Sequence, residues 1–236
     1  MRKILISILG LGVAFCVVVV VVVAWQNKLL IGDLMEFGEG VVRSRIEKHT
    51  VADRVAAILE KKPQLKSAVD STGGKLRILV FKNERQVEVH APGWKEPRKY
   101  EMTAFSGELG PKLKEGDRQI PEGVYGIEYL NPNSSFYLSL KVSYPNAADR
   151  ARAKEEGRTN LGGDIMIHGK NVTVGCIPIG DDAIEDVFCL ANAVGIKNVS
   201  VIIAPYDMRK GRKAELEVGA PSWYPELCNQ LEEALK

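Results

Sequence analysis

The sequence predicts an α+β chain whose larger part is a mainly antiparallel β domain. Three observations lead there. Short strand-like segments recur from residue 76 to residue 204, with Gly, Pro and Asn between them. The apolar pattern changes from helical to strand-like after Gly73-Gly74. Ahead of that change lie a charge-free apolar stretch and a mixed, helix-leaning region, so the β part follows a separate N-terminal portion. At 236 residues and 45% hydrophobic content there is material for one or two domains with a real core.

Residues 4–25 carry no charge and include seven consecutive valines, residues 17–23. A run of this length is enough to cross a bilayer. A removable signal peptide would pair a shorter apolar region with a small-x-small cleavage site, and the residues after Val23 do not supply one. Residues 1–25 are therefore expected to be one transmembrane helix retained as an anchor. Phe15, directly before Cys16, is too bulky for a lipoprotein cleavage site, which leaves Cys16 as an apolar filler. Arg2 and Lys3 outweigh Lys28 across the run. The positive-inside rule then gives a single-pass inner-membrane protein with a cytoplasmic N-terminus and its domain in the periplasm or otherwise outside the cytoplasm. The net charge of +2, without a long basic block, excludes a nucleic-acid footprint.

Residues 26–74 read as a helical stem or linker. Thr50-Val-Ala-Asp53 has the spacing of a capping box, and Val51, Val55, Ile58 and Leu59 recur at helical spacing until Pro63. Such a face packs against the domain that follows, binds a partner, or lies along the membrane.

In the β part, residues 76–81 and 86–90 form a hairpin closed by Lys82-Asn83-Glu84-Arg85. Further strands are expected over 99–106, 123–130, 135–144, 164–168 and 198–204. A helix starts at Asp182-Ala-Ile-Glu185, places Ile184, Val187, Phe188 and Ala191 on one face, and stops at Gly195. A C-terminal helix has Pro225 in its first turn and Leu227, Leu231 and Leu235 along one side. The expected organisation is an anchor (1–25), a stem (26–74), a main domain (75–207) and a helical extension (208–236).

The chemistry concentrates in residues 164–177. His168 and Cys176 sit at the two ends of a loop flanked by Gly169 and Gly175, which lets the backbone fold back and bring the side chains together. A thiol becomes a nucleophile when an imidazole takes its proton. A glycine just before the nucleophile lets the amides of Gly175 and Cys176 point at a developing oxyanion. A core cysteine and a loop histidine that are merely near in sequence would look the same. Asp164, His168 and Cys176 could make a three-ligand metal set, but no Cys-x-x-Cys or His-x-x-x-His accompanies them, so no metal or cofactor is expected. His49 and His90 read as surface or packing histidines.

Several further blocks occur in order: Gly107-Glu-Leu-Gly-Pro-Lys112, Gly116-Asp-Arg-Gln-Ile-Pro-Glu-Gly-Val-Tyr125, Tyr137-Leu-Ser-Leu-Lys-Val-Ser-Tyr-Pro-Asn146, and Leu161-Gly-Gly-Asp-Ile-Met-Ile-His-Gly169 with Gly175-Cys176. With these blocks, the segment from about Leu76 to Asp207 resembles the YkuD-type L,D-transpeptidase catalytic domain, in particular the murein L,D-transpeptidase-like branch with a compact His-Gly to Gly-Cys loop. The resemblance implies that Cys176 is the acyl-accepting nucleophile and His168 its base. It implies peptidoglycan stem peptides containing diaminopimelate as substrate and a thioester intermediate. An amine acceptor would give transpeptidation, and water would give hydrolysis, including release of a wall-attached protein. Where the broader family has a Ser/Thr-His-Gly triplet before the cysteine and Arg or Asn after it, this chain has Thr173-Val174-Gly175 and Ile177-Pro178. That departure leaves open a catalytically silent domain that only binds cell-wall peptide or a partner. Asp164 and Tyr144 either shape the cleft and orient His168 or serve as strand-end and turn residues, and Thr173 is a further candidate to contact substrate or orient the site. Cys189 and Cys228 either form a disulfide outside the cytoplasm or stay as buried thiols.

Overall fold

The computed structural model describes residues 48–211 and 220–236. The expected anchor and the first part of the expected stem lie outside those residues. Among the described residues no helix is long and apolar enough to cross a membrane.

Helix α1, Val51–Lys61, begins at the Thr50 capping box read from the sequence: the Thr50 hydroxyl accepts from the Asp53 amide and the Asp53 carboxylate takes the Thr50 amide. A short helix α2, Leu65–Asp70, follows Pro63. Neither stands apart as a stem. Ile58 and Leu65 are buried in the main core, with Val51, Val55 and Leu59 packed against it. The domain itself covers the amphipathic face, and His49 onward forms one structural unit.

The strands are β1 Leu76–Phe81, β2 Gln86–His90, β3 Arg98–Glu101, β4 Gly123–Ser134, β5 Tyr137–Val142, β6 Met166–His168, β7 Ile177–Pro178 and β8 Val199–Ala204. They form one sheet in the order β3-β2-β1-β8-β4-β5-β6-β7. The sheet is mixed rather than purely antiparallel: β1 runs parallel to β8, and β6 runs parallel to β7. Both parallel pairs come from connections too long for a hairpin. Register shifts in the β4–β5 pairing, between Ile127 and Tyr129 and between Asn131 and Ser134, mark bulges that bend β4 and raise its local twist.

Alternation along the strands builds two cores. Ile78, Val80, Val201, Ile203, Leu138, Leu140 and Ile167 face helix α4, Asp181–Val194, which contributes Ile184, Val187, Phe188 and Ala191. Leu79, Phe81, Ile202 and Ala204 face the other way, onto helix α5, Tyr224–Leu235, through Leu227, Leu231 and Leu235. A further helix, α3, Ala147–Glu155, was not expected from the apolar pattern because only Ala153 is buried along it. Its signal was the Asn146–Asp149 capping box.

Candidate active site

The β5–β6–β7 register sets the site. Ser139 pairs with His168 and Lys141 with Met166 across β5 and β6, and Ile167 pairs with Ile177 across β6 and β7. Leu140, Ile167 and Ile177 fill the core beneath α4. Side chains alternate along strands, so Ser139, Lys141, Met166, His168 and Cys176 share the opposite face. Strand pairing, as well as the loop between them, thus sets His168 and Cys176 on one face of neighbouring strands.

His168 is buried, its ring 4.6 Å from that of Phe136, and its Nδ1 lies 2.6 Å from the Gly169 carbonyl oxygen. A carbonyl only accepts, so Nδ1 carries the proton and Nε2 keeps a lone pair. Burial depresses the imidazole pKa below its ordinary value, more than the Gly169 bond raises it. Burial also pushes the Cys176 thiol up, partly offset by the Met166 backbone and by Lys141. Both shifts favour the neutral forms, imidazole and thiol, over an ion pair.

The Cys176 thiol donates to the Asp164 carbonyl at 3.4 Å, and not to His168. Asp164 reaches the site through its backbone in the left-handed region, at φ 55°, while its carboxylate is exposed. The group that orients His168 is the Gly169 carbonyl, so Asp164 does not fill the orienting role offered for it. Tyr144 is buried, with its hydroxyl donating to the Leu161 carbonyl at 3.1 Å, the structural role of the two considered. Thr173 is bonded to Cys176 directly: its hydroxyl accepts from the Cys176 amide and donates to the Cys176 carbonyl, both at 2.8 Å.

The two flanking glycines serve different ends. Gly175 has φ +92°, the turn conformation expected of it. Gly169 is needed for space, since a Cβ there would stand 2.8 Å from the Phe136 carbonyl oxygen and 2.5 Å from the Asp181 carboxylate. The oxyanion donors differ from expectation. The Gly175 amide donates to the Ser106 hydroxyl at 2.7 Å, and the Cys176 amide is held by Thr173. An incoming carbonyl must compete with two hydroxyls for these amides.

Sequence reading missed Ser106, Phe136 and Lys141. Ser106 and Phe136 lie in segments expected as strands, and Lys141 occupies a polar alternation position that reads as solvent-facing. The structure does not bring Cys189 and Cys228 together. Both are free and buried, Cys189 in the core under α4 and Cys228 in the core under α5, on opposite faces of the sheet. Among the described residues no group of three or more His, Cys, Asp or Glu side chains is placed to hold a metal ion, so Asp164, His168 and Cys176 do not make a ligand set.

The model of the YkuD family, the L,D-transpeptidase catalytic domain, matches residues 75–203, more than half of the chain. The chain belongs to that family. It is 32% identical over 144 residues to the Escherichia coli (strain K12) protein named "Putative L,D-transpeptidase YafK", covering 58% of this chain and 56% of that one. The same figures hold for the Escherichia coli O157:H7 protein of that name. The chain thus spans little more than half the length of these curated relatives. Among solved structures, the helical cell shape determining protein Pgp2 of Campylobacter jejuni is 24% identical with a TM-score of 0.43, over 62% of this chain and 56% of that one. Bd1075 of Bdellovibrio bacteriovorus is 20% identical with a TM-score of 0.40, over 68% and 54%. Within the YkuD match fall β1 to β7, all of β8 but its last residue, His168, Cys176 and every residue placed around them above.

Proposed function

We propose that this chain is a membrane-anchored, cofactor-free cysteine acyl transferase of the L,D-transpeptidase type, acting on diaminopimelate-containing stem peptides of peptidoglycan. The reading is carried by one observation: His168, with Nδ1 committed to Gly169 and Nε2 left as acceptor, shares a sheet face with Cys176. The apolar run over residues 4–25 supports the anchor.

In this reading the Cys176 thiol gives its proton to His168 Nε2 as the sulfur attacks a carbonyl on the carboxyl side of an L-configured centre of diaminopimelate. The carbon–nitrogen bond breaks, the departing amine takes the proton from His168, and a thioester remains on Cys176. An amine then attacks the thioester and passes its proton to His168; the carbon–sulfur bond breaks, the sulfur takes that proton back, and a cross-link or protein attachment remains. Water attacking the same thioester makes the enzyme a hydrolase that trims stems or releases a wall-attached protein.

A second reading is a catalytically silent module that binds cell-wall peptide. The thiol bonded to Asp164 rather than His168, and the two amides held by hydroxyls, favour it. One experiment separates the readings. The full chain, in membranes, is incubated with defined muropeptides and with sacculi carrying attached protein, and the products are analysed by mass. New cross-links mark a transferase; trimmed stems or freed protein mark a hydrolase. Products identical to those of Cys176→Ala leave only the binding module.

A further inference from the structure

Lysine ammonium groups are costly to bury unless a counter-charge comes with them. Among the described residues, Lys62, Lys82 and Lys112 are enclosed and obey this rule. Lys62 holds Asp182 at 2.7 Å, Lys82 holds Glu122 at 2.8 Å and Lys112 holds Asp117 at 2.6 Å. Lys141 is equally enclosed, with 7% of its side chain exposed, yet its carboxylates, Glu128 and Asp164, stand off at 3.9 Å. Its closer partners are the carbonyls of Val142 at 3.2 Å and Tyr144 at 3.4 Å, which carry no net charge. The fold thus keeps a buried positive charge with no tight anion beside it.

Its position says where an anion would come from. Lys141 pairs with Met166, and Cys176 is the residue that the β6–β7 register carries beside Met166. The three form a row across neighbouring strands on one face, two strand spacings or about 10 Å end to end between backbones. Side chains as long as lysine and cysteine close most of that gap. The Gly175 and Cys176 amides, the other candidates to receive negative charge, already donate to Ser106 and Thr173.

We infer that the Lys141 ammonium is the reserved counter-ion for the negative charge that forms at Cys176, on the sulfur as its proton leaves and then on the oxygen of the tetrahedral adduct. This rests on the acyl-transfer reading above. Among the described residues, Lys112 is neutralised by Asp117 and Asp164 is negative and opposes a thiolate. His168 becomes cationic when it takes the thiol's proton and gives that charge up again to the departing amine, whereas the Lys141 charge stays in place throughout. Glu128, on β4, faces Lys141 from the solvent side.

The test reads the sulfur without a substrate. Alkylation of Cys176 by iodoacetamide, followed by mass spectrometry on the full chain across pH, is compared in the wild type, Lys141→Met and Lys141→Arg. Loss of the charge should raise the apparent pKa of Cys176 by about one to two units, the range for removing a neighbouring opposite charge. The alkylation rate near pH 8 should then fall about 10- to 100-fold. Lys141→Arg should keep most of the wild-type profile. Protection of Cys189 and Cys228 from the reagent reports that each variant is folded. Should Lys141→Met not fold, Glu128→Gln carries the test at an exposed side chain that faces Lys141, and its profile should move to lower pH. A folded Lys141→Met with an unmoved profile overturns the inference, as does an unmoved profile in Glu128→Gln. An unmoved profile together with normal product formation removes only the lysine's role, whereas products no different from Cys176→Ala remove the acyl-transfer reading itself.

Discussion

His168 Nδ1 sits 2.6 Å from the carbonyl oxygen of Gly169, the next residue in the chain. That bond fixes the tautomer with Nε2 unprotonated, and burial holds the imidazole pKa below the ordinary value of about 6.5. A base works only while unprotonated, so a depressed pKa extends activity to lower pH. Product formation should be flat through neutrality and fall only below about pH 6.5. A kcat/KM profile with its acid midpoint above 7 would contradict the neutral pair.

The Thr173 hydroxyl spans the amide and the carbonyl of Cys176. Thr173→Val keeps the shape and removes both bonds, which leaves a partly buried amide unpaired at a cost of about 1–3 kcal/mol. Spread over the loop that carries Cys176, that loss should, on the acyl-transfer reading, lower kcat about tenfold or more, with Thr173→Ser retaining activity. Steady-state kinetics on the muropeptide identified as substrate check both variants.

Glu185 on α4 is buried and takes the Tyr137 hydroxyl, Lys61 and Lys62. Removing it leaves Lys62 with Asp182 and Asp186 but takes away the acceptor of the partly buried Tyr137 hydroxyl and the partner of Lys61, so Glu185→Ala should cost about 1–3 kcal/mol of stability. Burial alone would raise the Glu185 carboxyl, but Tyr137, Lys61 and Lys62 outweigh it and hold the pKa below the usual range. A depressed carboxylate contributes stability above its unfolded value of about 4.3 and loses it as pH falls through the folded value. The wild type should therefore lose stability more steeply than Glu185→Ala in that acid range. Denaturant titrations across pH measure this, and a variant as stable as the wild type at pH 7 would mean that the Glu185 contacts with Tyr137, Lys61 and Lys62 contribute nothing to stability.

Gly169 has no room for a methyl group, because the Phe136 carbonyl lies 2.8 Å from where it would go. Gly169→Ala should cost about 1–3 kcal/mol, as overpacking does. It should also shift the carbonyl that holds His168, so activity should fall beyond what lost stability explains. Comparing Tm with kcat for the folded fraction tests this, and full activity in a folded variant would show that Gly169 is dispensable.

Much of the fold was legible because its signals are local. The hairpin of β1 and β2, the capping box of α1, the periodic apolar face of α4 and the leucine row of α5 each depend on residues within one turn or one strand. Helix α3 was missed because a helix that buries only Ala153 has almost no apolar period to read. The parallel pairs β1–β8 and β6–β7 were missed because pairing between distant segments leaves no trace in either segment alone.

The sequence by itself determined the chemistry available at the site: a histidine, a cysteine and the glycines that let a short loop return. It also carried the ordered blocks that mark the L,D-transpeptidase family. Tertiary structure decided how those groups are used. Strand register put Lys141 on the sulfur's face, although alternation along β5 reads it as facing water. Close packing, not turn geometry, explains Gly169, and a carbonyl rather than the Asp164 carboxylate orients His168. Charge and protonation follow from what surrounds a group, and only folding creates those surroundings.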